Sequence, residues 1–138
     1  MDNVQAAILI NQVKKIDKQW RRREEIAQKY RKSFEKMGID MPKEYKNSKH
    51  GRHIFPIWAD PRKRDKILDY LNKNDVGAVI NYPAIHLFTF YRKMGFKEGM
   101  FPNTERVADS EISLPLYSKL KDVEIEYVIK IVAEAVKI

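Results

Sequence analysis

Eight apolar residues, Leu9, Val13, Ile16, Trp20, Ala27, Tyr30, Phe34 and Met37, recur at intervals of three, four or seven. No other pattern in the chain constrains the fold as strongly, because an α-helix at 3.6 residues per turn brings such positions onto one face. The spacing predicts a long helix over the first 37 residues, with this stripe turned to a core. Its other faces carry Lys14, Lys15, Lys18, Arg21, Arg22, Arg23, Lys29, Arg31 and Lys32. Gly38 follows as the permissive residue at which such a helix stops. The charge run from Arg21 to Glu25 is where a kink or break would fall.

The rest of the chain divides at proline and glycine. Met41 to Gly51 is polar and reads as a loop. Arg52 to Ala59 is strand-like in its aromatic and β-branched content, but Pro56 cannot donate to a ladder, which points to an edge or a bulge. Asp60-Pro61 matches an N-cap followed by proline at the first helical position, opening a helix that ends near Asn74 with Ile67, Leu68 and Leu71 inward. Val76 to Tyr82 reads as a second strand, stopped by Pro83. Leu87 to Lys93 and Thr104 to Glu111 are expected as short helices around a Met94 to Asn103 loop, and Ile112 to Leu114 as a short strand. Asp122 is expected to cap a last helix whose Ile125, Val128, Ile131, Val132 and Ala135 are buried. With no repeats or linkers, residues 1–138 read as one domain of the α/β class, α+β-like in character.

Composition excludes several classes of function. The chain has no cysteine, which removes disulfides, thiolate nucleophiles and Cys-based zinc sites. No stretch approaches the roughly 20 apolar residues of a membrane helix, and the charge-rich N-terminus is not a signal peptide, so a cytoplasmic protein with no membrane partner is expected. The net charge of +8 raises a nucleic-acid partner, yet acids interleave with the Lys and Arg throughout, as on a solvated surface. A basic nucleic-acid-binding module therefore stands as an alternative, without a helix-turn-helix, zinc-finger or RNA-recognition signature to support it.

Motifs with chemical content are few. Ser33 to Lys36 and Ser118 to Lys121 both fit Ser-x-x-Lys, but the companion elements of penicillin-recognising enzymes are missing. His50 and His53 form a His-x-x-His pair without a cysteine or a well-placed carboxylate nearby, so no metal site is expected. There is no Gly-rich phosphate loop, Walker pattern or Rossmann fingerprint.

Four segments resemble one family in the right order along the whole chain. They are Met1-Asp2-Asn3-Val4-Gln5-Ala6-Ala7 before the long helix, Arg52-His53-Ile54-Phe55, Asn81-Tyr82-Pro83-Ala84-Ile85-His86-Leu87, and Ala108 to Tyr117 ending Ser-Leu-Pro-Leu-Tyr. This set is similar to the C-terminal small domain of DegT-type sugar aminotransferases, which use pyridoxal phosphate (PLP). The resemblance implies the C-terminal domain of the aspartate-aminotransferase (type I PLP transferase) fold: a long N-terminal helix and a small, mainly antiparallel sheet covered by helices. It implies transfer of an amino group from an amino acid, usually glutamate, to a keto group of a nucleotide-linked sugar, by a homodimeric parent that holds PLP.

In the family the Schiff-base lysine and most cofactor contacts belong to a large domain preceding the matched region, and no lysine here occupies that motif. The chain alone is therefore expected neither to bind PLP stably nor to transaminate; a role purely in assembly or dimerisation is the remaining alternative. By matched position, His53, Asn81, Tyr82 and His86 are the expected substrate-binding residues at the active-site rim. Asn81 stands where histidine is commoner in the family. Tyr82 and His86 also flank a proline turn, so closing the strand-helix junction is their structural alternative.

Overall fold

The computed structural model describes residues 1–138. The N-terminal stripe forms two helices, α1 (Asn3–Val13) and α2 (Ile16–Lys36), separated by a turn at Lys14 and Lys15. The break thus falls seven residues ahead of the Arg21 to Glu25 run, which lies inside α2. That run consists of good helix formers, and three of its residues are held along the helix: Arg22 Nη1 lies 3.2 Å from Glu25 Oε2, and Gln28 donates to Glu24 at 2.7 Å. Only the second half of the stripe reaches the core. Ile26, Ala27, Tyr30 and Phe34 are buried, whereas α1 buries nothing and Leu9, Val13, Ile16 and Met37 are exposed. Trp20 is half-buried and donates its indole N–H to the His50 carbonyl at 2.8 Å.

The sheet has two antiparallel strands, β1 (Phe55–Trp58) and β2 (Glu111–Leu114), in the register Phe55↔Leu114, Pro56↔Ser113, Ile57↔Ile112 and Trp58↔Glu111. Phe55 and Ile57 point into the core, while all four residues of β2 are buried because neighbours cover both faces. Beyond β1 only the Asp40↔Trp58 bridge continues the sheet, so Pro56 sits near its edge as a residue without an N–H must.

The strand expected over Val76 to Tyr82 shrinks to one bridge, Val79↔Ser113. Its backbone finds other partners: Ala78 exchanges two hydrogen bonds with the Asn72 side chain, at 3.0 and 3.2 Å, and the Asn81 N–H donates to Glu111 Oε2 at 2.7 Å.

Four further helices follow: α3 (Arg64–Lys73) and α5 (Pro102–Ser110) pack on the sheet, α6 (Asp122–Ala135) packs on α2 and α3, and α4 (Thr89–Lys93) packs on a short 3₁₀ turn at Ile85–Leu87. The helix expected at Pro61 begins at Arg64 instead. Asp60 still organises its start, accepting from the Lys63 and Arg64 amides at 2.8 and 2.9 Å and, through its side chain, from the Arg62 amide at 2.9 Å.

Asp122 proves to be the first helical residue rather than the cap. The Lys121 amide is taken by Glu124 at 2.6 Å, leaving Asp122 to bind Arg22 at 2.7 Å and Lys29 at 3.0 Å. These pairs fasten the start of α6 to α2. Along α6, Ile125, Val128, Ile131, Val132 and Ala135 are buried as the spacing predicts.

At the centre Tyr30 stacks on Phe34 with ring centroids 5.6 Å apart and meets Phe55 edge-on at 5.1 Å, while its hydroxyl donates to the Pro115 carbonyl at 3.1 Å. Arg52 is a second anchor. Its buried guanidinium binds Glu24 on α2 and Glu44 in the Met41 to Gly51 loop, tying that loop to the helix. No helix is long and apolar enough to cross a membrane.

Candidate functional site

After Asn81 the chain turns through Tyr82-Pro83-Ala84 into the 3₁₀ turn and α4, and the Met94 to Phe101 loop, two residues shorter than expected, then returns to α5. Between these segments lies an open cleft of about 460 Å³, lined by Tyr82, Pro83, Ile85, His86, Tyr91, Phe96, Phe101 and Thr104. Tyr82 is 67% exposed, so its ring faces outward at the cleft mouth. His86 is buried: Phe101 meets it edge-on at 4.9 Å, and its Nε2 lies 2.9 Å from Glu105 Oε1. Phe96 adjoins Phe101 at 6.1 Å and Tyr91 at 6.2 Å, completing an aromatic wall.

Glu105, in the first turn of α5, has a carboxylate that also accepts from the Gly99 amide at 2.9 and 3.0 Å and from the Phe101 amide at 3.3 Å. The Gly99 amide above all, then Phe101 and His86, hold this carboxyl below its ordinary range. Gly99 has φ +86°, a left-handed conformation in which glycine bears no Cβ penalty. At the other end of α5, Glu111 is buried and accepts from the Asn81 amide and the Ser113 hydroxyl. Burial pushes its carboxyl above the ordinary range, against the pull of those two donors.

Of the four rim residues expected from sequence, Tyr82 and His86 meet in this cleft. Half-buried Asn81 reaches Glu111 through its backbone, and exposed His53 lies on the bend before β1; neither lines the cleft. Sequence reasoning missed Glu105, Glu111 and the aromatic wall. A carboxylate directly ahead of the short strand expected at Ile112 to Leu114 was a usable signal, since a charge carried into a buried strand needs partners. His50 Nδ1 accepts the Arg52 amide at 3.0 Å, and no group of three or more His, Asp or Glu side chains is arranged to hold a metal ion.

An α/β domain with a helix-flanked two-stranded sheet and an aromatic cleft beside a buried histidine is the class these features define. The sequence model of the DegT/DnrJ/EryC1/StrS aminotransferase family matches residues 1–133, and the chain belongs to that family. Spore coat polysaccharide biosynthesis protein SpsC of Bacillus subtilis is 31% identical over 99% of this chain and 37% of its own length. The UDP-4-amino-4,6-dideoxy-N-acetyl-beta-L-altrosamine transaminase of Campylobacter jejuni serotype O:2 is 31% identical over 87% of this chain and 33% of its own.

Among solved structures, S. venezuelae DesV in complex with a ketimine intermediate superposes with a TM-score of 0.92 at 26% identity, over all of this chain and 37% of that one. The PLP-form of the putative sugar aminotransferase Spr1654 of Streptococcus pneumoniae shares the fold, with a TM-score of 0.92 at 24% identity over 99% of this chain and 36% of its own. The chain thus spans little more than a third of the length of these relatives.

Proposed function

We propose that this chain is the substrate-facing C-terminal part of an aminotransferase that moves an amino group from an amino acid, glutamate in the simplest case, to a keto group of a nucleotide-linked sugar in amino-sugar or cell-surface polysaccharide biosynthesis. The observation that carries the reading is the exposed Tyr82 ring beside an aromatic wall, in a family whose members include a UDP-sugar transaminase. Aromatic faces pack against the apolar face of a hexose or a nucleobase, and the Tyr82 and Thr104 hydroxyls offer hydrogen bonds to ring hydroxyls. His86, held by Glu105 and Phe101, supports the rim from beneath.

PLP, when bound by such an enzyme, stabilises the carbanion formed during amino transfer. The cleft lining contains no lysine and no carboxylate, so these residues do not fit the cofactor, and the chain's part is to bind and orient the sugar. A homodimeric parent is the partner arrangement that goes with this reading. The exposed apolar side chains of α1, among them Val4, Ile8 and Ile10, support burial of that helix against another protein segment.

The test is titration of the chain with UDP-N-acetylglucosamine and dTDP-glucose, followed by amide NMR. Shifts confined to Tyr82, Ile85, Phe101 and Thr104, lost in Tyr82→Ala, are expected. Shifts centred instead on Lys14 to Arg21, and fading as salt rises, would support the nucleic-acid alternative. With PLP alone, an absorbance band abolished by one lysine substitution would overturn the view that the chain does not hold the cofactor.

A further inference from the structure

The two ends of α5 each hold one end of the rim that Tyr82 stands on: Glu111, just past its last residue, takes the Asn81 amide, and Glu105, in its first turn, takes His86. Glu105 does more than pair with histidine, because the same carboxylate collects the Gly99 and Phe101 amides across the loop. It does not line the cleft, yet two residues that do, His86 and Phe101, are bonded to it directly.

We propose that Glu105 is a positioning residue that fastens the Lys97 to Phe101 loop onto His86 and thereby sets the aromatic wall against which the ligand packs. The ligand in this statement rests on the proposed function; the fastening itself does not. Without the carboxylate, the Gly99 and Phe101 amides lose their acceptor and Phe101 is free to leave the His86 ring. With glutamine an acceptor oxygen remains for the amides, but the carboxylamide group offers one acceptor where two were used. The nearby Glu98, an exposed acid of the same loop, has no such role and serves as the charge control.

The experiment compares Glu105→Ala, Glu105→Gln and Glu98→Gln in the full chain by amide hydrogen exchange at Gly99 and Phe101, by thermal melting, and by affinity for UDP-N-acetylglucosamine. Glu105→Ala is expected to speed exchange at both amides and weaken the probe by roughly tenfold each, the scale of a lost charge-assisted contact. Glu105→Gln is expected to fall between Ala and wild type while melting within a few degrees of wild type, and Glu98→Gln to match wild type.

Unchanged exchange at Gly99 and Phe101 in Glu105→Ala would overturn the proposal, as would an equal loss of affinity in Glu98→Gln. Should Glu105→Ala fail to fold, the same two comparisons are made on Glu105→Gln. If the wild-type chain does not bind the probe, the reading of the cleft as a nucleotide-sugar site fails, and the exchange pattern alone still decides the fastening.

Discussion

Replacing Arg52 with alanine removes three charge-assisted hydrogen bonds at once. Nε and Nη2 bind the two oxygens of Glu24, the latter at 2.9 Å, and Nη1 binds Glu44 at 2.6 Å. Breaking a fully buried pair costs about 3–5 kcal/mol, because the surviving charge is stranded. Here only the guanidinium is fully buried: its side chain is 5% exposed, against 27% for Glu24 and 33% for Glu44. Both carboxylates can rehydrate in place, and both keep a second partner, Gln28 for Glu24 and Arg31 for Glu44.

The expected loss is therefore about 2–3 kcal/mol, which lowers the melting temperature by about 6–10 °C in a chain of this size. Arg52 also holds φ +51°, a left-handed conformation that costs about 1 kcal/mol with a Cβ and nothing with glycine. Arg52→Gly should consequently be about 1 kcal/mol less damaging than Arg52→Ala, the reverse of the usual order.

The pH dependence follows from the same contacts. Hydrogen bonding to Arg52 is the main reason the Glu24 and Glu44 carboxyls lie below their ordinary 4.5. Carboxylates depressed in the folded state contribute stability that is complete above their unfolded pKa and disappears as pH falls through the folded values. Urea unfolding followed by circular dichroism should show the full gap between wild type and Arg52→Ala at pH 7 and a narrowing gap below about pH 4.5. A gap under about 0.5 kcal/mol at pH 7, the ordinary scatter of surface substitutions, or one that does not narrow in acid, would show that the Arg52 ion pairs do not stabilise the fold.

Two further outcomes are expected. Phe34→Ala empties a fully buried position beside Tyr30 and Phe55 and should cost about 3–5 kcal/mol by denaturant unfolding, with a loss under about 1 kcal/mol inconsistent with this core. Deleting residues 1–13, which bury no side chain, should change stability by less than about 1 kcal/mol while reducing self-association seen by light scattering; failure of the shortened chain to fold would contradict the separation of α1 from the core.

What could be read from sequence and what could not separates along one physical line. The buried face of α6 was legible because a helix with one side on the core repeats its apolar residues locally, and Ile125 to Ala135 do so without interruption. The meeting of Tyr82 and His86 was legible because both come from one short run around Pro83.

Contacts that cross the chain were not. The Val76 to Tyr82 run carries strand-forming residues, but its ladder groups are claimed by the side chains of Asn72 and Glu111, 6 and 30 residues away. The Glu105 carboxylate reaches a histidine 19 residues distant, and Arg52 reaches Glu24 across 28. In the first helical stretch the apolar period runs unbroken through Lys14 and Lys15, so nothing in it distinguishes the half that meets the core from the half that does not.

The fastening of α6 to α2 has a consequence for how the chain is made. Arg22 and Asp122 lie 100 residues apart, and at roughly 5–20 residues per second about 5–20 s pass between synthesis of the first and of the second. For most of that interval Ile26, Tyr30 and Phe34 lack β2 and α6, the last elements that bury them. The nascent α2 therefore presents an apolar stripe flanked by cations, the kind of surface that chaperones engage, until α6 arrives to close over it.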